Sequence, residues 1–349
     1  MDPEKFTNPE VSNLINTLIT GHGELPRNEE MNHLEDLWDE TQANGNWNEL
    51  EEAWKNVPDG SWKPTRQMGV DEFCDMWQNM WPAEEFQETP YLFEPNNPFI
   101  GRDDLDSCLT GALEAGNIND SILILEGIVM QTPNNVQAWV MLGKLNAEND
   151  EDIRSVAALR RGYELDPYNT EAMLALGIGL INAKQPTNAM EMLIQYINHT
   201  PEFSALNSTS TELQDRVIDL YIQASNFRPN DSGLFQILGS LYFMLKEYDL
   251  AVSAFENSIH IDPANYYSWN RLGAALAHQG NNRGAIQAYQ KALEIRPYYV
   301  RAWANLGIAH ANLDLMNEAL RYYLCALYLN PKANHVWNYL VTGFACLSN

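Results

Sequence analysis

The sequence predicts an all-α solenoid of helix–turn–helix repeats, and three observations carry that prediction. Trp269, Trp303 and Trp337 stand 34 residues apart. The same step separates Asp262-Pro263, Arg296-Pro297 and Asn330-Pro331. Between these marks the apolar residues recur at the spacing of amphipathic helices rather than strands. A fixed period of this length means stacked helical units that bury a shared core and leave a concave surface for recognition.

Each element follows from that register. With Leu272, Gly273, Ala285, Tyr289 and Ala292 filling the interval, the pattern is that of the tetratricopeptide repeat. One step back from Trp269 come Phe235, Gly239, Ala251 and Phe255, and Pro229 closes the preceding unit. Pro133, Pro167 and Pro201 keep the same step, as do Gly143 and Gly177. The expected repeats are 102–134, 136–168, 170–202, an irregular fourth at 204–230, then 232–264, 266–298 and 300–332. A helix over 333–346 caps the last one, whose apolar face otherwise meets water. Glycine at the eighth position lets the two helices approach, the small residue at position 20 is expected to meet it, and proline ends the second helix. The Ser/Thr-rich stretch 204–211 reads either as part of a worn repeat or as a hinge between two triplets of repeats.

Composition sets the first 90 residues apart from the repeat domain at 91–347. Residues 1–100 hold six of the ten tryptophans, and 21 acidic against 5 basic residues. Few aliphatic runs and a high net charge give a segment too little burial to repay its ordering entropy, so a largely disordered arm is expected. The whole chain carries a net charge of −26, which argues against nucleic acid and anionic membrane surfaces as partners and favours basic peptides. Cys74, Cys108, Cys325 and Cys346 show neither paired nor metal-type spacing, which points to a reducing compartment. The longest apolar stretch, Ile122 to Met130, is interrupted by Glu126 and is too short to span a bilayer. With no signal-peptide core at the start, a cytosolic protein is expected.

No catalytic site is expected, and no cofactor or metal. Gly21-His22-Gly23-Glu24 and Gly177-x-Gly179 are too short for phosphate loops, and the seven histidines lack metal spacing. Recognition belongs to the first helix of each repeat, at positions 2, 5, 6, 9, 12 and 13. Repeat six offers Tyr267, Asn270, Arg271, Ala274, Ala277 and His278 there, and repeat seven offers Arg301, Ala304, Asn305, Ile308, Ala311 and Asn312. Position 13 is Asn182 in repeat three and Glu148 in repeat two. An asparagine amide can grip a peptide main chain, and Arg271 and Arg301 suit a terminal carboxylate. From spacing alone, these residues fit an ordinary solvated helix face equally well.

A resemblance adds to this. The run Ser268-Trp269-Asn270-Arg271-Leu272-Gly273-Ala274-Ala275-Leu276-Ala277, followed by Tyr299-Val300-Arg301-Ala302-Trp303-Ala304-Asn305-Leu306-Gly307-Ile308, resembles the receptors for the type 1 peroxisomal targeting signal. Further likeness lies in Ala138-Trp139, Ala147-Glu148-Asn149, Ala157-Leu159-Arg160-Arg161 and the lead-in Tyr91-Leu92-Phe93 to Asn97-Pro98-Phe99. The resemblance implies a cytoplasmic receptor that binds cargo ending in Ser-Lys-Leu and cycles to docking proteins at the peroxisomal membrane. It implies that Asn182, Asn270, Asn305 and Asn312 hold the cargo main chain and carboxylate, with Arg301 assisting at the carboxylate end and Arg271 keeping the charge of the family's lysine, while the small Ala274, by its groove position alone, leaves room for a side chain. His278 stands where the family has asparagine, and Glu148 is the candidate for attracting the penultimate basic side chain.

The arm departs from the family, which carries Trp-x-x-x-Phe/Tyr segments and a cysteine near the start; neither is met here. Trp77, Trp81 and Phe86 remain as the candidate docking cluster for a membrane-bound partner. The alternative reading is a related adaptor that binds the C-terminal tail of a chaperone or of a membrane protein. An acidic chaperone tail wants several groove cations, and Arg271 and Arg301 are few.

Overall fold

The computed structural model describes residues 90–330 and 332–347. The arm, with Trp77, Trp81 and Phe86, lies outside the described residues. Among the described residues the chain is all helical. The helices are α1 (Leu105–Glu114), α2 (Ile118–Gln131), α3 (Val136–Glu148), α4 (Asp152–Leu165), α5 (Thr170–Asn182), α6 (Pro186–His199), α7 (Leu213–Phe227), α8 (Ser232–Met244), α9 (Tyr248–Ile261), α10 (Tyr266–His278), α11 (Asn282–Ile295), α12 (Val300–Ala311), α13 (Met316–Leu329) and α14 (Asn334–Leu347). They fall into two compact units, one reaching to Ala309 and one starting at His310.

The repeating sequence marks have local jobs. The indole N–H of Trp139 donates to the carbonyl of Pro133 at 2.9 Å, and Trp269 and Trp303 do the same to Pro263 and Pro297. Each tryptophan thus ties the first helix of a repeat to the proline turn before it. Asn135, Asn169 and Asn265 cap α3, α5 and α10, each side-chain oxygen accepting a backbone N–H at 3.0 Å. Gln185, Glu151 and Glu247 precede α6, α4 and α9 without a side-chain cap bond.

A small residue at position 20 does face one eighth-position glycine, since a Cβ on Gly143 would lie 3.0 Å from the Ser155 carbonyl oxygen, but the nearest atoms belong to a large side chain. A Cβ on Gly143 would lie 2.4 Å from Cγ of Leu159, and one on Gly273 2.6 Å from Cε1 of Tyr289. The glycine makes room for a large side chain from the second helix, and that side chain fills the space between the pair.

In the turn between paired helices the chain enters the left-handed region. Gly116, Asp150 and Lys184 do so in the first three pairs, and Lys246, Gly280 and Asp314 in later ones, each triplet keeping the 34-residue step. Between α6 and α7 there is only a short 3₁₀ turn, Pro201–Phe203, and the irregular stretch before α7. Phe203 is buried, with the Arg228 guanidinium 4.9 Å from its ring centre, and Gln223 on α7 donates to the carbonyl of Asn207 at 2.8 Å.

The lead-in before α1 is a strap fastened by a buried carboxylate. Glu126, the residue that interrupts the apolar run of α2, is fully buried. It accepts from the Tyr91 hydroxyl at 2.9 Å, the Glu94 amide at 3.0 Å and the Asn97 amide at 3.0 Å, and it pairs with Arg154. The Arg154 guanidinium also donates to the Tyr91 oxygen at 2.9 Å. Burial pushes the Tyr91 hydroxyl far above the ordinary phenol range, so it stays a donor to Glu126.

In the second unit α13 packs on α14, where Val336 and Leu340 are buried and Tyr323 meets Tyr339 at 5.6 Å. Replacing Glu126 by alanine is expected to destabilise the first unit by about 1–3 kcal/mol or more, because it leaves the buried Tyr91 hydroxyl and Asn97 amide without this acceptor and Arg154 with Glu151 as its remaining carboxylate. Leu92→Ala, at a side chain 70% exposed, is the control and should stay within about 0.5 kcal/mol. Urea unfolding followed by circular dichroism measures both, and equal midpoints for the two variants would show the strap to be dispensable.

Candidate functional site

The site residues lie where sequence-distant repeats of the first unit meet. The turn joining α3 to α4 and the helix residues beside it reach residues 118 to 151 positions further along the chain. Glu148, the last residue of α3, accepts from the Tyr266 hydroxyl at 2.6 Å and from Nε and Nη2 of Arg296 at 3.0 and 2.7 Å. Asp150 and Asp152 both lie 2.6 Å from Nη2 of Arg301. The left-handed backbone at Asp150, with φ of 65°, turns its carboxylate onto that guanidinium. Alongside, Gly116 leaves no space for a Cβ against the ring of Tyr298.

Desolvation acts against the charges here, and the pairing decides the outcome. Burial disfavours the charged Arg301, but Asp150 and Asp152 outweigh it and hold the guanidinium firmly protonated. Burial, reinforced by the Glu148 carboxylate, pushes the Tyr266 hydroxyl well above its usual range, so it remains a donor. Three carboxylates face two guanidiniums, leaving this turn with its partners, the lip of the candidate site, acidic.

A second cluster sits beside the lip. Asn182, at the end of α5, accepts from the Arg271 guanidinium and, at 3.2 Å, from the Tyr267 hydroxyl. Arg271 is 9% exposed, and its guanidinium also lies 5.3 Å from the Tyr267 ring centre and 5.9 Å from that of Phe243. Among the described residues no carboxylate pairs with it, which separates it from Arg296 and Arg301. Asn305 donates to the Asn270 oxygen at 3.1 Å, and Asn270 to the Tyr299 hydroxyl at 3.5 Å. Asn270 is buried, and Ala274 is half-buried one turn further along α10.

His278 ends α10 and is exposed. Its ring stacks on Tyr248 with centres 4.8 Å apart and planes 6° from parallel, and meets Phe243 edge-on at 5.2 Å. Asn312 lies in the second unit, in the turn after α12.

Of the expected residues, Asn182 meets Arg271 and Asn270 meets Asn305. Glu148 and Arg301 belong to the lip, but each is engaged by a residue that sequence reasoning did not select: Arg296 for Glu148, Asp150 and Asp152 for Arg301. Phe243 and Tyr248 were also missed. Phe243 stands at position 12 of its repeat, the same position as Ala277, so a position-by-position reading of the fifth repeat would have found it.

The fold and the site's make-up define a tetratricopeptide-repeat protein. Family models for the tetratricopeptide repeat match residues 233–265 and for the TPR repeat residues 275–314, and the model of the protein prenyltransferase alpha subunit repeat matches residues 316–342. The particular likeness is to peroxisomal targeting signal receptors, as the sequence motifs indicated. The chain is 30% identical to the peroxisomal targeting signal receptor of Pichia angusta over 68% of its own length and 44% of that protein. It is 33% identical to peroxisome biogenesis protein 5 of Arabidopsis thaliana over 53% of its length and 27% of that protein, and 29% identical to the PEX5-related protein of Rattus norvegicus over 66% and 40%. The matches span less than half the length of each of these relatives.

A double-mutant cycle tests the lip. Arg301→Gln should cost about 1–3 kcal/mol in urea unfolding, since it leaves Asp150 and Asp152 without their guanidinium, and Asp152→Asn should cost less, since Arg301 keeps Asp150. Together they should cost less than the sum, with a coupling of at least about 0.5 kcal/mol. Strictly additive costs would show that the two side chains do not meet in solution.

Proposed function

We propose that this chain is a cytoplasmic receptor that binds the free C-terminus of cargo ending in Ser-Lys-Leu or a similar tripeptide and carries it to the peroxisomal membrane. The observation that carries this reading is Arg271: a buried guanidinium among inward-facing amides, hydrogen-bonded to neutral groups and lacking an acidic partner among the described residues. A buried positive charge of this kind is a ready partner for one carboxylate. In this reading Arg271 takes the terminal carboxylate, and Asn182, released from Arg271, joins Asn270 and Asn305 on the ligand main chain. Arg301 supports them from the lip. The lip, with one more carboxylate than guanidinium, draws the penultimate basic side chain, and Glu148 contributes to that field alongside Asp150 and Asp152.

The same observation weighs against an acidic chaperone tail as ligand. Such a tail needs several cations, whereas Arg296 and Arg301 are already neutralised by the α3–α4 turn. A C-terminal tail of a membrane protein shares the single carboxylate and is separated by its preceding residues. Docking at the peroxisomal membrane falls, in this proposal, to the arm with Trp77, Trp81 and Phe86.

Titration of the whole chain with a peptide ending in Ser-Lys-Leu, its C-terminal amide and an acidic chaperone-type tail decides among these. Amidation should weaken binding by roughly 1.5–3 kcal/mol for each charge-assisted bond lost, about 10-fold or more. Arg271→Gln should erase the difference between acid and amide, and Asn305→Asp should abolish binding by setting a negative charge against the ligand. Equal affinity for acid and amide in the unaltered protein would sink the carboxylate reading.

A further inference from the structure

The strap seats Tyr91 where its hydroxyl has three partners: Glu126 on α2, Asn146 on α3 and Arg154 on α4, at 2.9, 3.3 and 2.9 Å. One 34-residue step along the chain, these three positions become Arg160, Leu180 and Asn188. All three line a recess of about 250 Å³ bounded by α4, α5 and α6. Repeats two and three therefore rebuild the seat that repeats one and two give to Tyr91, and among the described residues this second seat is open. Its floor is apolar, with Leu176 and Leu180 buried, and Tyr163 and Met192 line it half-buried.

We infer that the second seat takes the ring of Phe86, in the acidic segment 84–88 of the chain's own arm. In the first seat the buried Glu126 anion receives donors, the Tyr91 hydroxyl and the Asn97 amide. Arg160 puts a cation in that register, so the matching occupant brings carboxylates in place of donors. Leu180, standing for Asn146, removes a polar partner from the floor, which favours a ring without a hydroxyl. Phe86 answers both conditions, since it is flanked by Glu84, Glu85 and Glu88. Glu191 lies on the α6 wall, so the carboxylates of the occupant belong on the α4 side with Arg160.

Size and tether agree with this occupant. The recess is smaller than the ~300–1,000 Å³ of small-molecule sites, which suits one large side chain. Phe86 precedes Tyr91 by five positions, and a chain of that length extends to ~17 Å, against about 8–10 Å between packed helices. Tethering holds the segment at a roughly millimolar local concentration, so a weak contact is populated without an outside partner. None of the lining residues belongs to the proposed carboxylate site, so the second seat stands or falls independently of that reading.

The test uses the full chain with Phe86→p-benzoylphenylalanine, a photo-crosslinking ring, irradiated and mapped by mass spectrometry. Crosslinks from position 86 to Tyr163 or Met192 within one chain are expected. Arg160→Glu should lower their yield at least about 2-fold, and Glu84→Lys, Glu85→Lys and Glu88→Lys together in that background should restore it. The restoration separates charge recognition from a general effect of Arg160→Glu on folding. Crosslinks confined to other helices would overturn the seat, as would a yield indifferent to Arg160→Glu or a loss that the charge reversal does not restore. Crosslinks that join two chains would assign the recess to a second copy and overturn the tethered occupant.

Discussion

The pairing of the α3–α4 turn with Arg296 and Arg301 is the constraint on which the first unit depends. Helix pairs in a solenoid contact their neighbours, and nothing in that local stacking dictates where distant repeats end up. Here Glu148, Asp150 and Asp152 meet two guanidiniums far along the chain, at distances of 2.6 to 3.0 Å. Removing charges from water is costly, and mutual attraction repays that cost only when the geometry is close and the remaining donors are satisfied. Such a contact therefore fixes position more than it adds stability.

The same turn is held from its other flank. Arg154, one helical turn into α4, is bound by Glu126, the Tyr91 hydroxyl and Glu151, the last at 2.9 Å. The lead-in strap and the distant Arg296 and Arg301 thus hold one short segment. The strap is in this sense part of the frame of the site, although no residue of it was selected as a ligand contact.

The helices were legible because their causes are local. The 34-residue step of Trp and Pro reflects an indole-to-carbonyl bond repeated in three turns, and an asparagine caps the first helix at α3, α5 and α10. The candidate site was legible only in part. Position numbering selected Asn182, Asn270, Arg271 and Asn305 from the inner positions of three helices, and the structure sets Asn182 against Arg271 and Asn270 against Asn305. It could not find Arg296 as the partner of Glu148, since that pairing arises from small rotations accumulated over several repeats, which no single interval encodes. Glu126 looked like a flaw in an apolar run, and its purpose lies in a strap 29 to 35 residues earlier. The eighth-position glycines were recognised, but which second-helix side chain they admit depends on the depth of packing and not on spacing.

The left-handed turn position shared by Gly116, Asp150, Lys184, Lys246, Gly280 and Asp314 has an evolutionary corollary. It lies outside both helices of each pair, and where nothing packs on it, as at Gly280, the side chain can change without disturbing the core, whereas at Gly116 the ring of Tyr298 forbids any side chain. Most of the pairs consequently carry one residue at which charge drifts almost independently of packing. Asp150 is the instance in which that freedom has been captured by a partner: a site open to drift has become coupled to Arg301, and the two must now change together.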